Sequence, residues 1–74
     1  MGDKYPILTP REIIQKLESF GFKFKSQKGS HLKHVKYGTP TKIVIIPNHD
    51  TVAKGTLKSI LDQVGIELDD FLNK

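Results

Sequence analysis

The chain contains no cysteine and a single arginine in 74 residues. Without cysteine there is no disulfide framework and no cysteine-ligated metal site, which fits a reducing compartment. No apolar run approaches the ~18 residues that span a bilayer. The opening Met1-Gly2-Asp3-Lys4-Tyr5 lacks the apolar segment of a signal peptide. The expectation is a soluble, cytoplasmic protein with no membrane partner. Eleven lysines stand beside the lone Arg11. Lysine is a point-charge donor, better suited to general phosphate attraction than to the forked readout of a guanine edge. Acid is missing from residues 21–42, which carry six lysines, while Glu67, Asp69 and Asp70 gather near the end. With a net charge of +4 and a pI near 9.5, this segregation points to a polyanion-binding surface. The length predicts one domain, residues 1–74, burying only ~60% of its unfolded surface.

Residues 1–8 read as a short lead-in. Thr9-Pro10-Arg11-Glu12 is a helix start: the Thr9 side chain accepts from the amide three residues on, Glu12 reaches back, and Pro10 loses no useful donor in the first turn. Ile13, Ile14, Leu17 and Phe20 then share one helical face, and Gly21 follows as a left-handed cap, which predicts a helix over 10–20. Phe22-Lys23-Phe24-Lys25 alternates as a strand with one apolar face, and Gln27-Lys28-Gly29-Ser30 reads as a turn. A second strand of weak pattern covers 31–36 and a third covers 42–46, ending at Pro47. The third strand is apolar on both faces, so its second face is covered or binds something. From about Lys54 a second helix carries the stripe Leu57, Ile60, Leu61 and Val64, capped by Gly65. Glu67 to Leu72 adds one further turn, with Leu68, Phe71 and Leu72 over an end of the core. The expected fold is α+β, a helix, a three-stranded antiparallel sheet and a helix, and its topology resembles the double-stranded-RNA-binding type.

Three histidines are the candidates for chemistry: His31, His34 and His49. Imidazole titrates near ~6.5, so it gives and takes protons near neutrality. RNA carries its own nucleophile, the 2′-hydroxyl, and needs only a base and an acid for cleavage, with cations to offset charge on the phosphate. His31 follows the Gly29-Ser30 turn inside the lysine-rich segment, and Lys25, Lys28 and Lys33 surround it in sequence. Gly29 supplies positive φ and leaves room for a phosphate. Zinc is disfavoured: His31-x-x-His34 with a distant His49 is not a metal-binding spacing. His34 alternates with Leu32 and reads equally as a buried strand residue, and His49, between Pro47 and Asp50, as a loop-ordering one. The amides at Gly55-Thr56 are a weaker candidate for phosphate.

Gly29-Ser30-His31, an apolar strand into Pro47-x-His49, Gly55-Thr56-Leu57-x-x-Ile60-Leu61, Gly65-Ile66 and Phe71 together resemble the HicA (YcfA-like) family of toxins, over roughly residues 9–72. The resemblance implies a small domain of double-stranded-RNA-binding type acting as a metal-independent mRNA interferase, with no cofactor. Its protein partner would be a HicB-type antitoxin and its substrate mRNA. The family's catalytic histidine maps to His31, and a second frequent histidine to His49, which with Lys25, Lys28, Gly29, Ser30 and Lys33 forms the expected RNA-binding set. His34 stands where the family often has an aromatic or aliphatic residue. The competing expectations are a non-catalytic RNA-binding module of the same fold and a protein-interaction domain that docks an acidic partner.

Overall fold

The computed structural model describes residues 5–74. Thr9 opens α1 (Pro10–Ser19) through a complete capping box. Its hydroxyl accepts from the Glu12 amide at 3.2 Å, and the Thr9 amide donates to the Glu12 carboxylate at 2.8 Å. Those bonds to the charged form hold the Glu12 carboxyl below the usual range. The chain then forms β1 (Lys23–Lys28), β2 (His31–Lys36), β3 (Lys42–Pro47), α2 (Lys54–Val64) and α3 (Leu68–Leu72). The sheet is antiparallel in the order β1-β2-β3, with His31 opposite Lys28 on one side and Pro47 on the other.

Period-two alternation sorts the strands into two faces. Leu32, His34, Val44 and Ile46 face the helices. His31, Lys33, Val35, Ile43 and Ile45 face away from them, in the cross-strand pairs Lys33–Ile45 and Val35–Ile43. The helix-side core joins Val44 and Ile46 to Ile13 and Leu17 of α1, to Leu57, Ile60, Leu61 and Val64 of α2, and to Phe22, Val52 and Phe71. The α2 stripe is the one expected from spacing. Gly65 ends α2 with φ +70, and the Lys42 ammonium donates to the Val64 carbonyl at 2.8 Å. A strand cation thus satisfies the negative end of the helix dipole.

Four expectations need correction. The β1–β2 turn is only Gly29-Ser30, because Gln27 and Lys28 stay in the ladder opposite Leu32 and His31. Gly29 has φ +59 and no non-glycine residue among the described residues has positive φ, which is the type II′ pattern that reverses a hairpin in two residues. Phe24 faces the helix side but is 58% exposed. The helical layer packs on β3 rather than β1, so the strand's apolar face is left open. A bulge between Phe24 and Ser26 inserts Lys25 as an extra residue and resets the alternation. Finally, Leu72 is partly exposed while Phe71 is fully buried.

His34 is only 1% exposed, and its Nδ1 has no hydrogen-bond partner among the described residues. The Phe24 ring meets it edge-on, with centroids 5.7 Å apart. Desolvation lowers the His34 pKa, against smaller opposing effects of the Leu32 backbone and the Glu18 charge. Charging His34 is therefore harder in the folded chain than in the unfolded one. This contribution to stability is complete above the ordinary value of ~6.5 and is lost as pH falls below it toward the lowered folded-state value. His34→Leu is expected to melt on the order of 1 kcal/mol more stably at neutral pH, because an unpartnered buried nitrogen is removed. It should also lose less stability than the parent as pH falls below about 6.5. Equal acid-side slopes in thermal melts of the two proteins would show that another group is responsible.

Candidate nucleic-acid interface

The II′ turn places His31 at the head of β2 with its side chain on the open face of the sheet. Ser26 and Lys28 of β1, His31 and Lys33 of β2 and Ile45 of β3 line one shallow groove of ≈ 520 Å³ there. No carboxylate lines it. By contrast, two clefts elsewhere on the molecule carry acid, Glu12 in one and Asp62 and Glu67 in the other. No acidic residue lies between Glu18 and Asp50, so the whole sheet face is basic or neutral. The carbonyl of Gly29 accepts from the Gln27 amide group at 3.0 Å, which braces the turn. A Cβ at Gly29 would meet no atom within 4 Å, so space above the turn is open.

The structure brings together His31, Lys28 and Lys33. It places Gly29 and Ser30 in the turn above them. The Asn48 amide donates to the Ser30 carbonyl at 2.6 Å. This carries the β2–β3 ladder one step past the His31–Pro47 pair and puts the exposed His49 beyond the same end of the sheet. Lys25 stands apart: its ammonium donates to the Tyr37 hydroxyl at 3.4 Å, toward the opposite end of β2. His34 points to the helix side, so it shares no ligand set with His31. Among the described residues no three histidine or carboxylate side chains converge to hold a metal. Ser26 is a groove residue that sequence reasoning missed. Counting back from a two-residue turn pairs Ser26 with Lys33, so a correct turn assignment alone would have found it.

A three-stranded sheet backed by helices on one face, with a histidine exposed on the basic other face, defines a small α+β module of the double-stranded-RNA-binding topology. Residues 10–66 match the family model described as HicA toxin of bacterial toxin–antitoxin. The chain belongs to the HicA toxin family. A search of curated proteins finds no match. No helix among the described residues is long and apolar enough to cross a membrane.

Proposed function

We propose that this toxin is an endoribonuclease that cleaves mRNA by histidine acid–base catalysis and is neutralised by a HicB-type antitoxin. The observation that carries the reading is the exposed His31 set between Lys28 and Lys33 on an acid-free sheet face. In the proposed reaction the 2′-hydroxyl oxygen bonds to the adjacent phosphorus as the bond to the 5′ oxygen breaks. The products are a 2′,3′-cyclic phosphate and a free 5′-hydroxyl. His31 takes the 2′ proton or delivers one to the departing oxygen, and water or a neighbouring acid such as His49 serves the other transfer. Lys28 and Lys33 hold the phosphate and offset its growing charge. Inducible expression with and without the antitoxin, reading growth and mRNA integrity, tests the assignment. Growth arrest with intact mRNA would overturn it in favour of a non-catalytic RNA-binding module.

The two faces of β3 support a reading of where the antitoxin anchors. Val44 and Ile46 belong to the core, whereas Ile43 is 49% and Ile45 40% exposed. Leaving them so forgoes about 1 kcal/mol of burial each, and exposed apolar groups beside a functional residue mark a contact. The described part of the lead-in does not cover them: Leu8 bridges Val52, and Tyr5 and Leu8 pack against the helix-side core. The double substitution Ile43→Ser and Ile45→Ser is expected to weaken antitoxin binding by roughly tenfold or more while the protein stays folded. Unchanged affinity in calorimetric titration of the folded variant would place the anchor elsewhere.

A further inference from the structure

We propose that Tyr37, tethered by Lys25, is a base-stacking subsite at the far end of a single-stranded RNA track that starts at His31 and runs along β2. The inference rests on the ribonuclease reading and adds to it a substrate conformation and a second contact point.

Tyr37 is 68% exposed immediately after β2, and the core makes no use of its ring. Its hydroxyl accepts from Lys25, the extra residue of the β1 bulge. The bulge thus brings a cation to this end of the sheet as well. Tyr37 lies six residues beyond His31, about 20 Å of extended strand. Along that distance the open face offers Lys28 and Lys33 at one end, the exposed Ile43 beside the buried Val35 in the middle, and Lys25 with Tyr37 at the other end. Ammonium groups therefore stand at both ends of an apolar floor.

This arrangement suits an unpaired strand. Phosphates take the lysines, and bases reach an aromatic ring or an aliphatic floor only when they are unstacked and splayed. A duplex presents phosphates and 2′-hydroxyls to a protein and keeps its base faces stacked inside, so it has no use for Tyr37. The occupant is a polyanion because Lys23, Lys28 and Lys33 lie on the open face and Lys25 stands at its bulge, with no acid between Glu18 and Asp50, and lysine is depleted at the centres of protein interfaces.

The test uses the His31→Ala protein, expected to cut too slowly to disturb a binding measurement, and a short unstructured RNA, alone or annealed to its complement. Affinities are read by fluorescence anisotropy at low salt. Adding Tyr37→Ala should weaken the single strand roughly 5- to 100-fold and leave the duplex affinity unchanged. Tyr37→Phe should keep most of the affinity, since the ring remains. If the single strand binds the Tyr37→Ala protein as tightly as its parent, the track ends short of Tyr37, and the ribonuclease reading survives. If no RNA binds even the parent, both readings fall. If Tyr37→Ala spares RNA and weakens only the antitoxin, that end of the sheet is a protein contact and the proposal is overturned.

Discussion

His31→Ala is expected to lower RNA cleavage by roughly 10²–10⁴-fold, the loss that follows removal of a general acid–base group, with little change in thermal melting. Both halves of this expectation come from position. His31 is exposed and sits outside the core, so its side chain contributes little to stability. Its backbone pairs with Lys28 and Pro47, and alanine keeps those pairings. Lys28→Gln with Lys33→Gln makes the informative contrast. Those changes should weaken binding across RNA sequences and reduce the salt slope by about one for each phosphate that is no longer neutralised. They leave the acid–base group in place. The two classes therefore separate in a saturating assay, where His31→Ala lowers the maximal rate and the lysine variants chiefly raise the RNA concentration needed. Cleavage is expected to survive chelation of divalent metal, because His31 and His34 face opposite sides of the sheet. A folded His31→Ala protein cutting at the parental rate would remove His31 from the mechanism.

The helices were more legible than the sheet, for a physical reason. A capping box is a local exchange of hydrogen bonds, so Thr9 and Glu12 announce α1 without any tertiary information. The stripe Leu57, Ile60, Leu61 and Val64 likewise needs only the 3.6-residue period. A strand's period of two divides its residues into two sets without saying which set meets the helices. Ile43 with Ile45 and Val44 with Ile46 are chemically equivalent pairs, and only the packing of α1 and α2 on β3 decides that the second pair is core. The bulge at Lys25 has no local signature, since Phe24-Lys25-Ser26 alternates plausibly either way. The two-residue turn is why Ser26 joins the groove, and the register shift beyond it is why Lys25 reaches Tyr37. His31 was legible because a glycine–serine turn fixes the strand head after it. Its neighbours across the sheet were not, because they depend on where the turn begins.

Phe71→Ala is expected to cost about 3–5 kcal/mol, a larger stability loss than any of the surface substitutions above. The family match ends at residue 66, so Phe71 lies outside it on the short helix α3. Five residues are too few to hold a helix by themselves. What keeps α3 in place is the Phe71 ring, 0% exposed within the core that α1, α2 and β3 share. Lys16 of α1 braces the outside, with its ammonium 5.9 Å from the ring centroid and 3.3 Å from the Lys74 carbonyl. Removing the ring opens a cavity and unfastens α3 together, exposing the neighbouring faces of α1 and α2. At ~0.05–0.15 kcal/mol per residue, a chain of this length has roughly 4–11 kcal/mol of stability in total. The substitution consumes a large share of it, and the melting temperature should fall on the order of 15–30 °C. Toxicity should fall as well, for a reason opposite to that in His31→Ala: the groove residues remain in the sequence, but the sheet that aligns them is no longer held. Antitoxin added in excess should recover folded Phe71→Ala protein by mass action, whereas it has nothing to restore in His31→Ala. An unchanged melt in Phe71→Ala would mean that the helix-side core closes without α3.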